Sequence, residues 1–271
     1  MKGPSGHPWP RFPLLLALSV LALLLWSLAD SAWAGWLFPL AWVLATQLIA
    51  VGSLEAARLR RRAWLGQYLR EGSSWHRRLR GGAVMIVRHQ LFAALLALVL
   101  LVKLRGLPLS AWTLLLAGAI GLCLARAWLR RRLVSHVIAA RLPAVSRRLL
   151  VAPVAGLLAL ALVGMAFWRP QPWLVGLGWE AALLRHLPGG EGGSLLGFFE
   201  RLAATAEITR AWAMQNAEVQ LSLDAPLALL GWMLMLLTQG AVAWAYVRLL
   251  IGADALCGER AAAPRRQEGR P

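Results

Sequence analysis

Long apolar runs alternate with short polar segments along this chain, and the basic residues crowd into every second polar segment. A helix needs about 20 predominantly apolar residues to cross the hydrocarbon of a bilayer. Six runs approach that length: about Phe12 to Ala29, Trp33 to Ser53, Ala83 to Val102, Leu109 to Ala125, Leu149 to Trp168 and Pro226 to Leu250. The pattern predicts an all-α, polytopic integral membrane protein with its transmembrane helices in three hairpins. The first run has a second reading as a cleaved signal peptide. Arg11 precedes it, and Ala32-Trp33-Ala34 before Gly35 resembles a signal-peptidase site.

Two runs continue as helices beyond their apolar part. Glu55 to Leu65 and Ala125 to Leu133 contain neither glycine nor proline, and their Arg, Ala and Leu residues favour helix. Tyr68 and Leu69 extend the first of these at four-residue spacing, and Pro143 is expected to end the second. Each carries an arginine triplet, so the chain has the look of a repeated hairpin, although biased composition produces the same likeness.

The polar segments divide the chain into 1–168, with five runs and two Arg-rich segments, 169–225, and 226–271, with the last run and a basic tail. Between Arg169 and Ala225 lies the one sizeable segment without a long apolar run. Its Gly189-Gly190-Glu191-Gly192-Gly193 break precedes a helical pattern from Ser194 to Leu221, with Ser194 as N-cap. On that helix Glu200, Glu207 and Glu218 fall within about 20° of one another. Phe198, Leu202, Ala206 and Ala213 take the opposite side, the expectation for an amphipathic helix lying at the membrane surface.

Composition removes the soluble alternative, since 59% of the residues are hydrophobic and only 15% charged. The formal net charge of +17 raises the question of nucleic acid, but the basic residues flank apolar runs, and membrane topogenesis explains them without it. All but Lys2 and Lys103 are arginine. Of the 29 basic residues, 23 lie in or beside one set of alternate segments, and six, Lys103, Arg105, Arg169, Arg185, Arg201 and Arg210, lie on the other side. That asymmetry predicts both termini in the cytoplasm. The Arg, Ala, Leu and Gly bias points to a GC-rich bacterial genome and so to a bacterial cytoplasmic (inner) membrane. Trp33, Trp36, Trp112, Trp168 and Trp173 are expected at the outer interface, and Trp64, Trp75 and Trp128 at the inner one.

The chemistry on offer is sparse. Thr46-Gln47 and Thr238-Gln239 are the polar positions near span centres. They would either hydrogen-bond between helices or line a polar site near the midplane. The absence of Asp, Glu, Lys or His beside them argues against a proton relay. Arg60, Arg61, Arg62, Arg130, Arg131 and Arg132 are candidates for docking anionic phospholipid headgroups or an acidic membrane or cytoplasmic protein partner. Glu200, Glu207 and Glu218 form a candidate outer docking face. They are spaced along too much helix to hold one ion, about 10 Å and 16 Å apart in rise.

Glu180, Arg185 and His186 form a charged trio without a recognisable catalytic spacing. Arg88, His89 and Gln90 interrupt the third run close enough to its start for Arg88 to snorkel. The five histidines and two cysteines show no metal-ligand spacing, and no cofactor is expected. Ala117 with Gly121, and the neighbourhoods of Gly156 and Gly240, offer small-residue faces for close helix approach. The leading expectation is a non-enzymatic scaffold or accessory subunit of a larger membrane assembly. The alternative is a transporter or permease for a neutral or anionic solute, and the third is a membrane-embedded enzyme.

Overall fold

The computed structural model describes residues 11–68, 83–137, 142–169, 171–187, 193–219 and 225–262. These residues form eight helices and no strand: α1 (Arg11–Leu28), α2 (Ser31–Tyr68), α3 (Ala83–Arg105), α4 (Leu109–Leu133), α5 (Leu142–Trp168), α6 (Trp179–His186), α7 (Leu195–Val219) and α8 (Ala225–Ala262). Five of them, α2, α3, α4, α5 and α8, are long and apolar enough to cross a membrane. The chain is a multi-pass helical membrane protein. The apolar stretch of α1, Pro13–Leu28, is shorter. It nevertheless packs into the bundle through Leu16, Val20, Leu23 and Trp26, and the buried Trp26 indole donates to the Leu101 carbonyl of α3 at 3.0 Å.

The helix α8 is the centre of the fold. It touches α1, α2, α3, α5 and α7. Half of its most apolar stretch is buried, against 28–33% in the other four long helices. A helix surrounded by others must be apolar all round, and Val242 to Ala255 is buried almost without interruption, with Tyr246 fully enclosed. The Tyr246 hydroxyl donates to the Leu115 carbonyl of α4 at 3.0 Å, the partner that a buried phenol requires. The chain therefore stays helical and apolar beyond Leu250, the end that the apolar run marked.

Helix ends follow local chemistry. Ser194 caps α7, its hydroxyl accepting from the Gly197 N–H at 3.1 Å. The extension of α2 to Tyr68 and of α4 to Leu133 matches the uninterrupted Arg, Ala and Leu composition. Pro143 does not end α4. It is the second residue of α5, where a missing N–H has no helical acceptor to lose. Pro39 and Pro153 lie inside α2 and α5.

A glycine-to-glycine contact that the structure uses is not one that the sequence singled out. A Cβ placed on Gly121, Gly156 or Gly240 would meet nothing within 4 Å, whereas Gly52 of α2 lies against Gly252 of α8, with backbone atoms 3.5 Å from a Cβ placed on Gly52. A Cβ on Gly252 would overlap the Leu48 carbonyl, whose carbon is 2.6 Å from its position. The two glycines sit on different runs 200 residues apart, so no local motif announces the pair. Trp112, expected at an interface, is buried in the core, while Trp33, Trp36, Trp168 and Trp173 are widely exposed.

Residues 171–178 and α6 fold against α7 through a second, small core of Leu174, Ala182, Ile208 and Ala211. Side-chain amides staple the loop. Gln215 accepts from the Leu174 N–H at 2.7 Å and donates to the Pro172 carbonyl at 2.9 Å, and Asn216 accepts from the Gly176 N–H at 3.1 Å. Gly176 has φ +79°, a turn conformation that L side chains rarely adopt.

The α2–α8 approach yields a direct expectation. Gly252→Ala forces backbone apart and should cost about 3 kcal/mol or more, the upper range for overpacking. Gly240→Ala should leave stability unchanged. Thermal unfolding of both variants in one detergent checks this; equal melting temperatures would refute the close contact.

Candidate functional site

Two ionic clusters stand at opposite ends of the bundle. At the end away from α6 and α7, Asp254 of α8 faces two arginines. Arg147 of α5 donates to its carboxylate at 3.0 Å, and the Arg126 guanidinium of α4 lies 2.8 Å from the same oxygen. All three residues are 8% exposed. A carboxylate enclosed among apolar helices is strongly disfavoured unless paired, and here the pairing joins α4, α5 and α8 in one contact. Sequence reasoning missed Asp254. The available signal was a lone acid inside Ile251-Gly252-Ala253-Asp254-Ala255-Leu256, a continuation of the apolar run rather than a tail.

At the other end α7 crosses the end of α3. Lys103 pairs with Glu207, and Arg105 donates to Glu200 at 2.5 Å and to the Ala29 carbonyl at 2.9 Å. The Arg105 guanidinium also sits 6.0 Å from the Trp26 ring centroid, within cation–π range. Beneath these pairs lies a cavity of about 270 Å³ with Arg169 and Gln239 on its wall and Leu162, Met165 and Val242 among its apolar residues. Further along α7, burial draws the Arg210 guanidinium below its ordinary pKa range; Glu207 opposes that shift and Arg169 adds to it.

The helix α7 is turned differently from a simple amphipathic reading. Phe198 and Leu202 are more than half exposed, while Leu196, Phe199 and Ala203 pack against the bundle core. Glu200 and Glu207 thus lie beside the packed stripe, because the cations of α3 receive them. The third acid, Glu218, belongs to α7, but its side chain lies outside the described residues.

Thr46 is buried, but Gln47 is exposed. The Thr238 hydroxyl donates to the Leu234 carbonyl of its own helix. With Gly52 against Gly252, Thr46 lies about 9 Å and Gln239 about 20 Å toward the α7 end along α2 and α8. The two polar pairs therefore occupy different levels and do not meet.

Arg131 and Arg132 are exposed, Arg130 half-buried, and Arg132 stacks 5.6 Å from the Trp128 centroid. Arg60, Arg61 and Arg62 belong to α2, with side chains outside the described set. Glu180 opens α6 and Arg185 and His186 close it, about 7.5–9 Å apart in rise. Among the described residues no group of three His, Cys, Asp or Glu converges for a metal ion. Comparison with family models, curated proteins and solved structures finds no match.

The two clusters differ in expected weight. Asp254→Asn leaves two buried guanidinium groups facing a neutral amide and should cost about 3–5 kcal/mol. Glu207→Gln acts on a carboxylate whose side chain is 53% exposed and should cost at most about 1 kcal/mol. Melting temperatures in detergent compare them; a Glu207 variant as damaging as the Asp254 variant would contradict the ranking.

Proposed function

We propose that this chain is a non-enzymatic component of a bacterial inner membrane, a scaffold or accessory subunit of a larger assembly. In this reading α1 is retained as a sixth membrane-crossing helix, the six form three hairpins, and both termini lie in the cytoplasm. One observation carries the reading: the charged groups inside the fold link its own helices, as Asp254 does for α4, α5 and α8, while Arg131 and Arg132 at the end of α4 stay exposed. Exposed basic side chains beside a membrane helix suit anionic phospholipid headgroups and an acidic face on a protein partner. The buried Trp26 bond to Leu101 supports retention of α1. The exposed Phe198 and Leu202 support α7 as a helix at the outer surface.

A second reading has one observation in its favour. Gln239 lies on the wall of the cavity beneath α7 with Lys103, Arg169, Glu200 and Glu207, a mixed lining able to receive a small neutral solute, as a transporter would.

Orientation is tested by reporter fusions. A periplasm-active reporter should be active after Gly190 and silent after Ser73, and intact mass should include α1. The opposite reporter pattern would overturn the orientation, and a mature chain beginning at Gly35 would overturn retention. Subunit status is tested by crosslinking cells, extracting in mild detergent and identifying stoichiometric companions. A partner crosslinked through the end of α4 is the expected result. A homo-oligomer with no partner would overturn the subunit reading in favour of the transport one.

A further inference from the structure

The cavity beneath α7 is walled by charges of both signs. Lys103, Arg105 and Arg169 line it, and so do Glu200 and Glu207. Two of the cations are already matched, Lys103 by Glu207 and Arg105 by Glu200. Arg169, which directly follows α5, is exposed and has no acceptor among the described residues. It stands near enough to Arg210, itself not on the wall, for the two like charges to oppose each other. The Arg210 Nε is buried with no hydrogen-bond partner among the described residues. This side of the site therefore lacks a negative charge.

The other side has acceptor capacity to spare. Each glutamate meets its cation through Oε1 alone, and a carboxylate carries about four lone-pair sites. Gln239 is half-buried, and its amide offers both donors and an acceptor. The remaining wall is largely apolar, with Leu162 and Val242 from the bundle core and Met165 packed against it. The volume of about 270 Å³ lies just under the roughly 300 Å³ at which pockets for drug-sized ligands begin. It equals the liquid volume of about nine waters, so the occupant is a small molecule.

The lining discriminates between classes of small molecule. A purely anionic guest would meet Glu200 and Glu207, and a purely cationic one would meet Arg169. A polyol would leave Arg169 without a counter-charge and set hydroxyls against Leu162, Met165 and Val242. A molecule with one charge of each sign and an apolar remainder satisfies every part of the wall, and its net charge is zero.

We propose that this cavity binds one small zwitterion with an apolar side chain, an aliphatic amino acid, its carboxylate on Arg169 and its ammonium toward Glu200 and Glu207. The proposal rests on the transport reading only in taking the cavity as a solute site, so binding and uptake are measured separately. Leucine is the probe, titrated into the purified full chain in mild detergent by calorimetry. One saturable site is expected. Isocaproate, which lacks the ammonium, and isoamylamine, which lacks the carboxylate, should each bind about tenfold more weakly or worse, as the loss of a charge-assisted contact implies.

Arg169→Gln removes no contact within the described fold and should weaken leucine binding by about tenfold or more. Arg201→Gln removes an exposed charge of α7 that does not line the cavity, and should change nothing. Ala204→Phe places a ring in the cavity and should abolish binding without lowering the melting temperature of the chain. Absence of saturable leucine binding would overturn the proposal, even if proteoliposomes took up another solute and so kept the transport reading. Either analogue binding as well as leucine would overturn it too, as would undiminished binding in Arg169→Gln. Binding without uptake would sustain the proposal and remove the transport reading.

Discussion

A carboxylate in a nearly enclosed position, with a guanidinium from each of two other helices against it, is the constraint around which this bundle is arranged. Asp254 lies on the helix that touches most of the others. Removing its charge from water is unfavourable by several kcal/mol, and only well-placed opposite charges offset that. Satisfying it fixes α4, α5 and α8 relative to one another. The neighbouring Gly252 fixes α2, since the Leu48 backbone occupies the space that any side chain would take. Apolar packing against lipid-like neighbours is weakly directional. These two contacts supply direction where apolar burial alone would tolerate several arrangements.

The opposite end repeats the principle with weaker interactions. Lys103 and Arg105 close α3 and meet Glu207 and Glu200 on α7. Solvent reaches these pairs, so each contributes modestly. Their effect is geometric. They hold α7 across the bundle, roof a cavity of mixed lining, and place Arg105 over Trp26.

Much of the architecture was legible along the chain. Apolar runs of about the right length gave helices α2, α3, α4, α5 and α8, the continuous Arg, Ala and Leu composition extended α2 and α4, and Ser194 marked the start of α7. These features depend on hydrogen bonds and burial within a single segment, so a window of sequence contains their cause. The candidate sites were less legible. Glu200 and Glu207 look like a water-facing stripe until the cations that face them are known, and Thr46 and Gln239 look like partners until the register of α2 against α8 sets them at different levels.

What the sequence determined by itself is the helical class, the positions of the long apolar segments and their membrane character, because hydropathy and helix propensity act locally. What only the tertiary structure decided is which helix is central, which glycines touch, and which charges are partners. Asp254 and Arg126 are separated by more than a hundred residues, and Gly52 and Gly252 by 200. Their relation is a property of helix register and crossing, and a charge or a missing side chain acquires its meaning only when another segment arrives beside it.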